Sequence, residues 1–244
     1  MAASENALNR VREHRFYILA AILFPLIVLI GFARTYYLRG FFNAPPLSSL
    51  LVHMHGVVMT AWVGLFITQV WFISSKRIKT HQSLGMLGIA LGILVIVIGF
   101  FTAVAAAKYG TSSAPPDIPP LTFMIVPMTD LLMFAIFLGG AIYFRKKPAN
   151  HKRLMLLTAI NFVPPAIARI PLDALQSLGP LWFFGFPTVV VILALIYDTW
   201  YNRRLNNVFL AGGLLLIVSY PLRLVFGATE AWTSFAGWLT TWAA

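Results

Sequence analysis

Seven stretches of this chain are apolar over the length of a bilayer-crossing helix, which is roughly 17–25 residues. They cover residues 16–34, 49–74, 84–106, 121–144, 153–170, 181–201 and 207–226. Hydrophobic residues make up 59% of the chain and charged residues 10%, whereas charged residues supply about a quarter of a soluble domain. The sequence therefore predicts an all-α fold, a polytopic membrane helix bundle of about seven transmembrane helices that forms one membrane domain over residues 1–244.

Basic residues predict the orientation of this bundle. Thirteen of the eighteen lysines and arginines fall on one side of the membrane if the runs cross it alternately. They are Arg10, Arg12, Arg15, Lys76, Arg77, Lys79, Arg145, Lys146, Lys147, Lys152, Arg153, Arg203 and Arg204. The positive-inside rule makes that side cytoplasmic, so the N-terminus is expected inside and the C-terminus outside, in a bacterial cytoplasmic (inner) membrane. The net charge of +11 then indicates contact with anionic lipid headgroups and requires no nucleic acid.

The C-terminal segment, residues 228–244, is too polar to span the membrane. Five large apolar side chains lie on one helical stripe in it: Trp232, Phe235, Trp238, Leu239 and Trp242. This spacing predicts an amphipathic helix in the outer membrane interface, where tryptophan is enriched. The alternative is an aromatic docking surface for a partner subunit or a pigment.

Four of the five histidines lie at the ends of apolar runs, where an imidazole readily ligates a metal or haem iron. His81 and His151 occur in two similar segments, 80–87 and 150–157, each with a polar capping residue, the histidine and a leucine three residues later. This internal repeat predicts that both imidazoles lie at one depth near the cytoplasmic side and share a haem iron, a metal or an acidic headgroup. The alternative is that both cap helices and face headgroup water.

The other two histidines, His53 and His55, lie near the outer start of the second run. Residues two apart on a helix point roughly 200° from each other, so they cannot bind one ion together. One is expected to face the bundle and the other its rim. The inward one is either an axial haem ligand partnered by Met124 or Met128, or a hydrogen-bonded structural histidine.

Polar residues inside the runs predict a second candidate site, because each costs free energy unless it is paired. They are Asp130 in the fourth run, Asn161 and Arg169 in the fifth, and Arg223 in the seventh. With one outer histidine, Asp130, Arg169 and Arg223 predict a polar pocket in the outer half that binds a ligand or protons. The alternative is a set of paired groups that stabilise the bundle. Pro164 and Pro165 predict a kink just after Asn161.

The chain lacks the sequence motifs of several classes of enzyme and receptor. The chain contains no cysteine, which excludes disulfides and thiolate chemistry. It contains no Walker loop, dinucleotide fingerprint, HExxH motif or nucleophile elbow, and the seventh run has no lysine for a retinal Schiff base. Hydrolase, ATPase and rhodopsin functions are therefore disfavoured.

Four segments are distinctive when taken together. They are Leu51-Val52-His53-Met54-His55-Gly56 with Trp62 and Gln69, Thr80-His81-Gln82-Ser83-Leu84-Gly85, His151-Lys152-Arg153-Leu154-Met155-Leu156-Leu157, and Pro165-Ala166-Ile167-Ala168-Arg169. In these segments the chain resembles an uncharacterised bacterial multi-span membrane-protein family. More loosely, it is similar to the b-type cytochromes of the ascorbate-dependent transmembrane class. That resemblance implies b-type haem between histidines, although this chain offers such a pair only on the cytoplasmic side.

Two functions are expected from these features. The first is an accessory subunit of a larger bacterial membrane complex, or a protein that binds a small molecule, lipid or pigment, without catalytic activity of its own. It is favoured because no catalytic set is complete in the sequence. The second is a haem- or metal-binding redox protein that transfers electrons, for example to quinone.

Overall fold

The structure, a computed structural model, describes residues 2–111, 115 and 117–242, with side chains from residue 15 onward in those ranges. These residues form helices and no strand. The helices are α1 (Ala2–Phe32) with a π-helical continuation (Ala33–Tyr37), α2 (Leu50–Ser74), α3 (Ile78–Tyr109), α4 (Pro120–Phe123), α5 (Ile125–Tyr143), α6 (Pro148–Asn161), α7 (Val163–Ile167), α8 (Asp173–Gln176), a π-helical segment (Leu181–Gly185), α9 (Phe186–Asn202), α10 (Asn207–Gly227) and α11 (Glu230–Thr240).

Six helical stretches of the described chain are long and apolar enough to cross a membrane. They are Arg15–Tyr37, Leu50–Ser74, Ile78–Tyr109, Pro120–Tyr143, Leu181–Asn202 and Asn207–Gly227. Each coincides with one of the predicted apolar runs, although α3 begins at Ile78, six residues before its run. The prediction of an all-helical bundle is therefore confirmed, with six helical stretches of membrane-crossing length and composition among the described residues.

The predicted fifth run, 153–170, is not one helix. It consists of α6 and α7, which are separated at Phe162. Pro164 and Pro165 cause this break because neither has an N–H to donate to the carbonyl four residues earlier. The segment is nevertheless central, since α6 packs against α1, α5, α9 and α10 and its last six residues, 156–161, are all buried.

Glycines allow close packing between the helices, as the Gly88 and Gly92 spacing on α3 suggests. A Cβ atom on Gly88 would lie 3.0 Å from a methyl group of Leu65 on α2, and one on Gly92 would overlap Leu138 on α5. The tightest approach is between α1 and α7. There a Cβ atom on Gly31 would lie 2.6 Å from the carbonyl carbon of Ala166, so only glycine fits.

The C-terminal segment forms α11, which packs against α3 and α4. Ala236 and Leu239 are buried in this contact, and Trp232 Nε1 donates a hydrogen bond to the Leu121 carbonyl at 2.9 Å. The side chains of the predicted stripe therefore do not all face outward, because Leu239 is buried against the rest of the protein. Three aromatic side chains of the stripe remain exposed and contact one another in sequence order: Phe235, Trp238 and Trp242.

Candidate functional site

The two histidines of the internal repeat occupy the same position in their helices. His81 is the fourth residue of α3 and His151 is the fourth residue of α6. Their backbone N–H groups donate to the carbonyls of Arg77 and Lys147, which immediately precede the two helices. The predicted capping roles of Thr80 and Asn150 are therefore wrong, because both helices begin earlier. The repeat itself has the same helical register in both segments.

The structure brings the His81 and His151 side chains together. Their ring centroids are 6.2 Å apart, and the ring planes are nearly perpendicular at 84°. Both residues are half-buried. Two side chains separated by seventy positions in the chain thus form one imidazole pair that molecules outside the bundle can reach.

The carbonyl oxygen of Ala141 determines the tautomer of His151. It lies 2.9 Å from His151 Nδ1, and because a carbonyl only accepts, Nδ1 must carry the proton. Ala141 is in the last turn of α5, where carbonyl oxygens lack partners within the helix. His151 therefore satisfies a helix end and keeps the lone pair of Nε2 available for a ligand.

Gln69 on α2 contacts the other imidazole of the pair. Its side-chain amide meets three groups of α3: His81 Nδ1, the His81 carbonyl and the Gly85 N–H. One amide orientation suits all three, with the nitrogen donating to Nδ1 and to the carbonyl and the oxygen accepting from Gly85 at 3.0 Å. Each imidazole of the pair is therefore held through Nδ1 by a neighbouring group. His151 donates through Nδ1, as metal-ligating histidines commonly do, whereas His81 accepts there.

The separation of the two rings suits a metal bound between them. Imidazole nitrogens ligate transition metals at about 2.0–2.1 Å, so two rings on opposite sides of one ion have centroids roughly as far apart as these. No group of three or more His, Asp or Glu side chains with metal-site spacing occurs among the described residues. A structural zinc site normally uses four protein ligands. Haem iron needs only two, because the porphyrin supplies the others.

The other two histidines of α2, His53 and His55, differ in exposure. His53 is exposed, and the Tyr36 hydroxyl lies 3.3 Å from both its Nδ1 atom and its carbonyl oxygen. His55, two residues later on α2, is half-buried. This agrees with the expectation that only one of them faces the bundle.

Arg169 and the two methionines proposed as partners on this side each contact other groups. Arg169 donates to the Pro165 carbonyl at 2.6 Å and lies 4.7 Å from the centre of the Phe32 ring. Met124 and Met128, the proposed haem partners, lie in a different apolar cluster formed with α3 and α11. Haem ligation by His55 with Met124 or Met128 stays a prediction.

Asp130, Asn161 and Arg223 form a buried polar cluster. Arg223 Nη1 lies 2.5 Å from Asp130 Oδ1, and Arg223 Nη2 donates to Ser219 Oγ at 3.2 Å. Asn161 Nδ2 donates to the Asp130 carbonyl at 2.9 Å. Asp130 and Arg223 are 6% and 2% exposed, so this ion pair is shielded from solvent. Two of the predicted pocket residues, Asp130 and Arg223, are therefore brought together, whereas the contacts of Arg169 are with Phe32 and the Pro165 carbonyl.

A second buried ion pair was not predicted. Arg153, which the charge pattern assigns to a cytoplasmic loop, is 3% exposed and lies within α6. Its Nε and Nη2 atoms contact the two carboxylate oxygens of Asp198 on α9 at 2.9 and 2.7 Å. The assignment of Arg153 to a loop is wrong because α6 begins at Pro148. The available signal was Asp198 itself, an acidic residue within an apolar run.

Comparison with known proteins adds no identification. No family model, curated protein or solved structure matches this chain. Evidence for function therefore comes from the chain's own side chains, among which the His81–His151 pair has the most specific chemistry.

Proposed function

We propose that the chain crosses a bacterial inner membrane seven times, with the N-terminus inside and the C-terminus outside. The α6–α7 segment supports a seventh crossing. At its start His151 meets His81, near the turn between α2 and α3, and just beyond its end Arg169 meets Phe32, at the opposite end of the bundle. The basic residues of the three turns that follow α2, α5 and α9 support the orientation.

Cysteine labelling tests this topology, because the chain contains no cysteine of its own. Lys146→Cys precedes the proposed crossing and Ser177→Cys follows it, and both positions are exposed. We expect a membrane-impermeant maleimide to label Ser177→Cys in intact cells, and Lys146→Cys only after permeabilisation. Lys79→Cys is the control and should behave as Lys146→Cys does. Labelling of Lys146→Cys and Ser177→Cys from the same side would exclude the seventh crossing.

We infer that the protein binds one b-type haem at the cytoplasmic end of the bundle and carries single electrons there. The observation that carries this proposal is the His81–His151 pair, with ring centroids 6.2 Å apart. His81 and His151 would be the two protein ligands that hold the haem iron. His151 already presents the lone pair of Nε2, because its Nδ1–H donates a hydrogen bond to the Ala141 carbonyl. The haem supplies the one-electron chemistry, and the protein supplies the two ligands and their orientation.

Haem titration of the purified protein tests this function. We expect the wild-type protein to give the absorption spectrum of low-spin, six-coordinate haem. His81→Ala and His151→Ala should each lose that spectrum, because each removes one axial ligand. His53→Ala is the matched control, since it removes an exposed outer histidine, and should keep it. Unchanged haem binding in the double variant His81→Ala/His151→Ala would reject the proposal, as would binding of a bare metal ion but not of haem.

A second candidate is a non-catalytic accessory subunit, or a carrier of a lipid or pigment. Two surface features favour it. One is a groove of about 210 Å³ between α5 and α10, lined mainly by apolar side chains together with Arg223 and Ser219. The other is the exposed aromatic row of α11. If this function is correct, the wild-type protein should purify with a larger complex in mild detergent, and Trp238→Ala/Trp242→Ala should lose that complex while remaining folded.

A further inference from the structure

We propose that Gln69 is a positioning residue that selects the tautomer of His81 and thereby controls how tightly the histidine pair binds haem iron. This inference rests on the proposed haem function. Its first step, the selection of the His81 tautomer by Gln69, concerns the protein without haem. Gln69 is on α2, whereas the two histidines are on α3 and α6, so the site involves a third helix.

The hydrogen bonds at Gln69 give the two imidazoles opposite tautomers. The Gln69 amide nitrogen donates to His81 Nδ1, so this atom carries a lone pair and the proton lies on Nε2. In His151 the arrangement is reversed, because Nδ1 donates to the Ala141 carbonyl. Without a ligand, the pair therefore offers one N–H donor and one lone pair, rather than two lone pairs.

Haem ligation requires His81 to change tautomer. To hold iron through Nε2, His81 would need its proton on Nδ1 instead. No net proton is released, since water at the half-exposed ring can carry it from one nitrogen to the other. Gln69 can accept the new Nδ1–H if its amide turns so that the oxygen faces the ring. That turn removes the hydrogen bonds to the His81 carbonyl and the Gly85 N–H, so Gln69 opposes ligation by His81.

A carboxylate at position 69 should reverse this effect, because it only accepts hydrogen bonds. In Gln69→Glu the carboxylate holds His81 as the Nδ1–H tautomer and leaves the Nε2 lone pair for iron. We expect haem to bind roughly tenfold more tightly than in the wild-type protein, since hydrogen-bond partners of ligands change affinity by about 10–100-fold. The midpoint reduction potential should fall, because an anionic partner raises the basicity of the ligand and stabilises ferric iron.

Gln82→Glu is the matched control. It makes the same substitution at an exposed residue directly after His81, so it adds the same charge near the site without replacing the Gln69 amide. Gln69→Leu removes the hydrogen bonds of the side-chain amide and adds no charge. We expect Gln69→Leu to lose the defined tautomer of His81, and Gln82→Glu to retain the wild-type tautomer and most of the wild-type affinity and potential.

Nitrogen-15 NMR of histidine-labelled protein without haem tests the first step directly. We expect His81 as the Nε2–H tautomer and His151 as the Nδ1–H tautomer in the wild-type protein, with His81 converted to Nδ1–H in Gln69→Glu. Retention of Nε2–H in Gln69→Glu would overturn the inference. Equal changes of haem affinity and of midpoint reduction potential in Gln69→Glu and Gln82→Glu would also overturn the inference. The proposed haem function would then remain intact. Failure of the wild-type protein to bind haem would reject the haem function, and the NMR result would still decide whether Gln69 sets the tautomer.

Discussion

Asp130→Ala is expected to lower the free energy of unfolding by about 3–5 kcal/mol, which is the usual cost of removing one partner of a buried ion pair. The substitution leaves Arg223 without its carboxylate at a position that is 2% exposed. It also removes the charge that balances Arg223 inside a membrane-length helix, where an unpaired charge is costly. Unfolding by a denaturing detergent, followed by circular dichroism, measures the loss.

The double variant Asp130→Leu/Arg223→Met is the diagnostic comparison. Because it removes both charges, it should recover most of the stability that Asp130→Ala loses. Lys146→Met is the control for charge removal at an exposed position and should change the unfolding free energy by no more than about 0.5 kcal/mol. If Asp130→Ala is as stable as Lys146→Met, the ion pair does not stabilise the bundle. The cluster around Asp130 would then be better explained as a ligand or proton site.

Gly31→Ala is expected to destabilise the protein by about 1–3 kcal/mol, the range for overpacking a close contact. The added Cβ atom would lie 2.6 Å from the carbonyl carbon of Ala166, and backbone cannot move aside as a flexible side chain can. Helix α1 would have to separate from α7, which ends two residues before Arg169. The change should therefore also disturb the contact between Arg169 and Phe32.

Gly64→Ala is the matched control for this prediction. A Cβ atom on Gly64, on α2, meets nothing within 4 Å. Alanine there should be neutral or stabilise α2 by up to about 1 kcal/mol through its higher helix propensity. Measuring the unfolding free energy of both variants in the same detergent separates the effect of close helix packing from the effect of helix propensity. Equal stability of the two variants would show that α1 and α7 do not approach closely.

The helices and the register of the histidine repeat were largely predictable, because both depend on local pattern. Apolar runs of membrane length located six of the described helices, and two short similar segments indicated His81 and His151. The proline pair after Asn161 predicted a kink, which is the break between α6 and α7. The helix starts were less predictable, and this error led to the wrong capping roles for Thr80 and Asn150.

The partners of the polar side chains were not predictable to the same extent. Asp130 and Arg223 were recognised as costly residues, but pairing between positions 93 apart in the chain depends on which helices are adjacent and how each is rotated. The Arg153–Asp198 pair was missed for this reason. Gln69 belonged to a distinctive segment, but nothing in the sequence indicated that its amide contacts a histidine on another helix.

The sequence by itself determined that this chain forms a bundle of membrane-length helices and that two histidines occupy equivalent places in a repeat. Apolar length and helical spacing are local properties, and every residue needed to read them lies within one segment. Only the tertiary structure decided that His81 and His151 face each other, because this depends on how α3 and α6 are positioned in the bundle. It also placed the Ala141 carbonyl and the Gln69 amide against the two rings. These contacts, made between separate helices, determine which nitrogen atoms can bind a metal.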